Sequence, residues 1–549
     1  MRRSLARMAA LAALALAATT ATTAPVIADD SVPTPQPPAG ITDGTASLAQ
    51  LAQEATSQAP SQSTQAASNA LDAAQAALSG DAPARGTSQD ATQGADQAPD
   101  VSMALRDLAL QLPNMSASDR RTAQAILARP TDGSSDPYGD GYTTNKRKRK
   151  CAGNFCVHWV TDTADAAKRA WAIKTLKTMN SVWHVEVGKM GYRHPVSDRI
   201  LSGNNGGNGK FDVYLKDLGS AGYYGYCAAE FAKVKSGKTT RQGGGFCVLD
   251  NNFSKAEYGQ RPVNSLKVTA AHEFFHAVQY AYDYTEDRWF MESTATWMEE
   301  RYADGVNDNR QYLPSGSVKA PSTALDYFAS GSSRPYGNWA WWEFLTHKFN
   351  NGIVKTTWNK AAGPSYSTKA LKSTLSSKGG FVRNFASYNA ANLTPKRTYP
   401  EGGSWPSANH GGWTLTGTST GNNVTATLPH MSAASYVITP GDGVGNKKWR
   451  LKIKVDGPVA KTSPIAYVVV RMKNGAWKRS PMNLNAQGNG VKKVLFSGNA
   501  VSAVSVTLVN GSTRFKNCGQ GTGSVEYSCD GTPVDNGKAF KLVTRAYKN

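Results

Sequence analysis

His272-Glu273-Phe274-Phe275-His276 lies within Ser265–Tyr282, a run whose apolar spacing predicts a helix. On a helix, positions four apart differ by about 40° in direction and about 6 Å in height. His272 and His276 therefore share a face and can aim two imidazoles at one metal ion. Glu273 is offset so that its carboxylate reaches a water in the ion's open position. That pattern suits metal-assisted hydrolysis, with Glu273 as general base and then as proton donor to the leaving amine. The same five residues can also sit on an ordinary amphipathic helix. The imidazoles would then be polar groups on a buried face and would need other partners.

A catalytic centre of this kind needs a third protein ligand. A polar turn, Asp283 to Arg288, is followed by a second helical pattern, Trp289 to Glu300. Here the chain resembles the gluzincin clan of zinc peptidases, in a secreted bacterial form. The clan pairs H-E-x-x-H with a later helix reading W-x-x-E-x-x-A, which Trp289, Glu292 and Ala295 match. The resemblance implies Zn2+ held by His272, His276 and Glu292, with Glu273 as the catalytic base. It also implies a zincin-like α+β domain that hydrolyses peptide bonds in a protein or peptide substrate, and it makes Tyr336 a candidate donor to the oxyanion. Fifteen residues separate His276 from Glu292, fewer than in the best-known clan members, so the connecting turn must be tight. Glu299 and Glu300 are alternative ligands; Glu299 also suits a group orienting an imidazole or a solvated helix charge. Ala277-Val278-Gln279-Tyr280 after His276 excludes the metzincin spacing.

Working outward, Cys151–Val160, Phe211–Leu215, Gly222–Cys227 and Gly245–Asp250 read as strands, and Ala164–Val185 and Trp339–Phe349 as helices. Beyond residue 405 the pattern alternates. Ile465–Lys473, Ala476–Arg479, Val491–Phe496, Val501–Val509 and Ala539–Ala546 are further strands. The expected architecture is an α+β zincin-like domain over 151–404, followed by an all-β sandwich over 405–549.

Residues 1–28 read as a secretory signal, with Arg2, Arg3 and Arg7 before the apolar run Met8–Ala18. Residues 29–150 read as a largely disordered pro-region and linker. Asp29–Asp100 has almost no aromatic or branched residues, so no core is expected there. Val101–Arg129 carries two short amphipathic stretches able to dock on the mature enzyme. Lys146-Arg147-Lys148-Arg149-Lys150, read as part of a flexible linker, suits a processing cut. No later run reaches the length of a membrane span. All six cysteines lie after residue 150, and nearest-neighbour closure pairs 151–156, 227–247 and 518–529. The expected location is extracellular.

The total charge of +21 is unevenly divided. Residues 29–145 carry 5 basic and 14 acidic groups, net −9; with +3 in the signal, 146–549 carries +27. Such a body attracts polyanions. The partners this charge suits are an anionic cell-surface polymer bound through the basic β domain, an acidic protein or, less well, nucleic acid; the same charge equally serves solubility. Lys448, Arg450, Lys452 and Lys454 alternate with Trp449, Leu451, Ile453 and Val455. The cations form either a binding row or the protection of an exposed sheet edge.

Three functions fit the sequence. The first is a secreted zinc endopeptidase. The second is an adhesive protein on a peptidase-like scaffold, and the third a zinc hydrolase of glycan or ester bonds.

Overall fold

The computed structural model describes residues 62–79, 101–132, 141–200, 205–230, 241–329, 331–519 and 526–549. The signal and much of 29–100 lie outside the described residues.

A five-stranded sheet positions the motif. Its strands are β1 (Arg147–Ala152), β2 (Phe155–Val160), β3 (Phe211–Lys216), β4 (Gly225–Glu230) and β5 (Gly244–Asp250), in the order β1-β2-β3-β5-β4. β2, β3 and β5 run parallel, while β1 and β4 are antiparallel to their neighbours at the two ends. Side chains alternate in direction along each strand, and here both faces are buried. Phe155, Val157, Val213, Leu215, Cys227, Cys247 and Leu249 pack against the motif helix Pro262–Asp283 and the helix Arg169–Trp183. The other face presents Val160, Tyr214, Tyr226, Phe246 and Val248 to the N-terminal segment.

That segment departs from the expectation of disorder at Gln62–Ser79, while the two stretches of Val101–Arg129 expected to dock are helices packed on the sheet. Gln62–Ser79, Val101–Gln111 and Ala117–Ile126 are helices. Ala67, Leu71 and Ala74 are buried with Val101, Leu105, Leu108 and Ile126 in one core on the second sheet face. A low-apolar sequence can do this because alanine loses no side-chain entropy and lets helices approach closely. The basic run differs too. Arg147–Lys150 belong to β1, paired residue for residue with β2, rather than to a flexible linker. A protease would have to open that pairing first. Tyr142, read as linker, is buried and its hydroxyl donates to the Leu215 carbonyl at 2.9 Å.

The second half of the α+β region is helical, with Arg288–Ala303, Trp339–Lys348, Gly352–Ala361, Ser367–Leu375 and Phe381–Ala391. The C-terminal region is built from several sheets. One is β11-β10-β13-β8-β6 and another β12-β9-β16-β7, with strands β6 (Gly411–Leu415), β7 (Gly421–Leu428), β8 (Ser432–Pro440), β9 (Trp449–Asp456), β10 (Pro464–Met472), β11 (Trp477–Asn483), β12 (Asn489–Leu495), β13 (Val501–Asn510) and β16 (Lys538–Lys548). β14 (Phe515–Lys516) and β15 (Thr532–Pro533) form a small ribbon. Leu451, Ile453, Val455, Val468, Val504, Val506 and Leu542 fill the core between the two larger sheets. The expected disulfides are present: Cys151–Cys156, Cys227–Cys247 and Cys518–Cys529. Among the described residues no helix is long and apolar enough to cross a membrane.

Candidate metal centre

The motif helix begins at Pro262, whose missing N–H costs nothing at a first helical position. Every residue from Leu266 to Asp283 except the exposed Lys267 is buried, so the helix has no solvent face over its second half and belongs to the core. The chain turns at Tyr284–Asp287, and the Asp283 carboxylate accepts from the Thr285 backbone N–H at 2.9 Å. Arg288–Ala303 then returns alongside, buried from Trp289 to Glu300. Tryptophans fix this second helix: Trp342 Nε1 donates to Ser293 at 2.8 Å and Trp358 Nε1 to Thr294 at 3.2 Å.

The pairing brings His272, His276 and Glu292 together, with one potential ligand atom from each within 4.8 Å of the others. His272 Nε2 lies 3.1 Å from Glu292 Oε2, and His276 Nε2 lies 3.3 Å from Glu292 Oε1. The latter two atoms are buried and in hydrogen-bond geometry with nothing, although they face each other. Buried polar atoms normally have partners, and a shared cation is a partner that suits both. The outer nitrogens support the same orientation. His272 Nδ1 is 2.7 Å from Glu299 Oε1, and His276 Nδ1 is 2.8 Å from Gln279 Oε1. An amide or carboxylate oxygen can only accept, so each Nδ1 carries the proton in the neutral imidazole, leaving the Nε2 lone pair for a cation. Gln279 Nε2 in turn donates to the Met291 carbonyl and Thr294 Oγ1, at 2.9 and 3.1 Å. The residues therefore fit a divalent metal with nitrogen and oxygen ligands.

Without a cation, burial lowers the His276 pKa to about 4. Burial also opposes charge on His272, but Glu292 and Glu299 outweigh it and raise that imidazole well above its ordinary value. Burial pushes Glu273 up to about 7, helped by the negative charge of Glu292. Glu299 is pushed to about 7 by the same loss of solvent.

Of the alternative ligands, Glu299 takes the orienting position on His272. Glu300 turns instead to Asn309, whose Nδ2 donates to it at 2.8 Å. Tyr336 stacks on the His272 ring, with centroids 5.8 Å apart, and hydrogen-bonds Glu292. Two residues at the centre were not singled out from sequence. Gln279 was findable, since it lies three positions beyond His276 on the same helix. Ser102 was not, because it lies 171 positions before the residue it touches. Its Oγ donates to Glu273 Oε2 at 3.0 Å and accepts from the Cys227 N–H at 3.0 Å.

No family model matches the chain, and no curated protein does. Several solved structures match the chain, two of them as weak likenesses. One is a periplasmic lysozyme inhibitor of g-type lysozyme from Aeromonas hydrophila, PliG, at 9% identity and a TM-score of 0.15, covering 25% of this chain and 100% of the inhibitor. The other is a family GH115 4-O-methyl-alpha-glucuronidase, BtGH115A, at 8% identity and a TM-score of 0.13, covering 52% of this chain and 38% of the enzyme. At those TM-scores neither supports an argument about fold or function.

Proposed function

We propose that this chain is a secreted zinc-dependent endopeptidase made in a latent form. The observation that carries the reading is the convergence of His272 Nε2, His276 Nε2 and the Glu292 carboxylate, including two buried atoms with no hydrogen bond. His272, His276 and Glu292 hold the metal, and Glu299 and Gln279 fix the imidazole tautomers. Zinc bound there supplies Lewis acidity toward a water and a substrate carbonyl. Glu273 takes the proton of the attacking water and passes it to the leaving amine. Tyr336, beside Glu292, donates to the oxygen that gains charge. β4 ends the sheet, and once the helix Val101–Gln111 leaves it an extended peptide can add to that edge through main-chain hydrogen bonds.

Latency is suggested by the helix Val101–Gln111. Its Ser102 occupies both the Glu273 carboxylate and the Cys227 N–H of β4. Arg106 Nη1 donates to the Glu286 carbonyl at 2.5 Å, and Asp107 accepts from Arg288 Nε at 2.6 Å. The helix is thus tied to the turn joining the two metal-bearing helices. The test compares intact chain with chain cut at a protease site introduced within residues 133–140, each with and without chelator, on a peptide library. Chelator-sensitive cleavage that stays low while the cut segment remains docked and rises once the segment is digested or stripped away supports the reading. Stoichiometric zinc with no peptide cleavage in either form, but turnover of ester or glycan panels, would replace peptide by another substrate. Full activity of Glu273→Gln would remove the mechanism.

A further inference from the structure

The row of cations on β9 has two readings in the sequence, and the topology removes one. β9 is not an edge strand: it pairs with β12 on one side and β16 on the other. Lysines on it therefore protect no edge.

The register extends the row into a field. Lys452 stands directly between Lys493 on β12 and Arg545 on β16. Lys454 and Arg450 lie two residues to either side, and Lys541 lies on β16 opposite Asp456. Lys452, Lys454, Lys493, Lys541 and Arg545 are exposed and Arg450 is half-buried, while their strand neighbours Leu451, Ile453, Val455, Leu542 and Ala546 fill the core. The outer face thus holds six cations and, within the same rows, one acid. Adjacent strands lie about 5 Å apart and same-face residues about 7 Å apart along a strand. Both spacings fall within the Debye length of about 8 Å at physiological salt. Like charges directly opposite on a sheet destabilise it, and none of the six makes a salt bridge among the described residues. Folding does not require this clustering. The other sheet of the sandwich has its outer face covered by the helix Phe381–Ala391 and residues such as Ile465 and Val509 pack there. Among the described residues the cationic face has no such cover.

We infer that the outer face of the β12-β9-β16-β7 sheet is a docking surface for a linear cell-surface polymer carrying regularly spaced phosphodiester charges. A chain with one anion per repeat can lie along β9, meeting Arg450, Lys452 and Lys454 in turn, with Lys493 and Arg545 flanking it. The aliphatic spacers of such a polymer would meet Val491, which is 57% exposed, and the half-buried Val543. Nucleic acid fits less well. Single-strand binders stack bases on aromatic platforms, and Tyr547 is the one aromatic residue in these rows. A flat sheet also offers no element to enter a duplex groove. Three disulfides agree with an oxidising, extracytoplasmic location where such polymers occur. This inference is independent of the metal centre.

The test uses the full chain and fluorescein-labelled poly(glycerol phosphate), read by anisotropy at several salt concentrations. The triple variant Lys452→Gln, Lys493→Gln, Arg545→Gln should weaken binding about tenfold or more and flatten its salt dependence. Its melting temperature should equal or exceed that of wild type, because repulsion is removed. The control triple Lys168→Gln, Lys174→Gln, Lys177→Gln removes the same charge from the N-cap and exposed face of the helix Arg169–Trp183 and should change binding less than about twofold. Unchanged binding by the sheet variant would overturn the inference, and so would an equal loss in the control. Tighter capture of a DNA duplex or of phosphatidylglycerol vesicles through the same residues would overturn the choice of partner.

Discussion

Two buried polar clusters lie on opposite faces of the five-stranded sheet, and they are satisfied in different ways. On one face, His272, His276 and Glu292 converge with two atoms left without a hydrogen bond. On the other, Arg129 is wrapped by three carboxylates: Nη1 lies 2.6 Å from Asp212 Oδ2, and Nη2 lies 3.0 Å from Asp198 Oδ2 and 2.6 Å from Glu230 Oε2. His158 Nε2 completes it, 2.7 Å from Asp212 Oδ1. Buried acids need a counter-charge. In the Arg129 cluster the chain supplies the cation from its own N-terminal segment. At the motif, among the described residues, no Lys or Arg makes an ion pair with Glu292, and in the proposed reading the cation comes from solution. The Arg129 cluster holds a segment in place; the cluster at the motif can hold an ion with chemistry of its own.

The largest test of that contrast is at the motif. His276→Ala or Glu292→Gln should abolish stoichiometric zinc binding and lower turnover by about a thousandfold or more. Added zinc should raise the melting temperature of wild type and leave that of either variant unchanged, since only a ligand bound by the native state stabilises it. Glu273→Gln should keep its metal. If Glu299→Gln strips zinc while Glu292→Gln retains it, the ligand and the orienting residue are interchanged.

The Arg129 cluster predicts a smaller effect at a distance. Arg129→Gln leaves two buried carboxylates, Asp198 and Asp212, and the partly buried Glu230 without their cation, a change of about 3–5 kcal/mol when a buried pair is broken from one side. Hydrogen exchange should accelerate in 101–126 while the motif helix stays protected. For the same reason, wild type cut within 133–140 should retain its N-terminal segment on gel filtration. The segment covers Tyr214, Tyr226, Phe246 and Val248, so its loss would expose an apolar sheet face. Immediate dissociation of the segment would break the comparison.

The two clusters also differ in how much of them could be read in advance. The motif was legible because helical spacing fixes geometry locally: His272 and His276 are one turn apart, and Glu292 follows a turn too short to allow many arrangements. The strands around it were legible as apolar runs with ends displaced by a few residues, as in β4 at Gly225–Glu230 rather than 222–227, except that Cys151–Val160, read as one strand, turns between β1 and β2 at Gly153–Asn154. The Arg129 cluster was not legible. Its members come from four segments of the chain, and neither His158 nor Asp212 has a spacing that marks it. The helix Gln62–Ser79 was missed for a related reason. Its alanines carry little hydrophobic signal, and they are buried only because Val101, Leu105 and the sheet stand opposite them. The helices between 352 and 391 received no reading, and the strands β6, β7 and β8 were hidden among Gly, Asn and Thr.

Acid titration sharpens the comparison further. Three carboxylates around one guanidinium leave the cluster with excess negative charge. Burial pushes the Asp198 carboxyl up to about 6, Arg129 opposing, and raises Glu230 as well. An acid whose folded pKa exceeds the unfolded value of about 3.9 binds more protons when folded. Its contribution to stability therefore falls as pH rises from about 4 to about 6, then levels off. Asp198→Asn should remove that slope from the melting temperature measured between those limits. A variant that melts with the wild-type slope would show that Asp198 does not carry it.

The smallest effect is expected where the two faces meet, at Ser102. Its hydroxyl makes two hydrogen bonds, one to Glu273 and one from the Cys227 N–H. Ser102→Ala removes both while the rest of the helix keeps its anchors, since Arg106, Asp107 and the apolar residues Met103 and Leu105 are untouched. The loss should be about 1–2 kcal/mol in the docking of the segment, the usual range for buried hydrogen bonds to a group left unpaired. Global melting should hardly move. The sensitive readout is entry to the centre: the rate at which a chelator removes zinc from intact Ser102→Ala, against intact wild type and Arg129→Gln. If the serine covers the general base, removal should quicken several-fold in Ser102→Ala and further in Arg129→Gln. Equal rates in wild type and Ser102→Ala, with faster removal only in Arg129→Gln, would mean that closure depends on the docked helix as a body and that the serine is incidental.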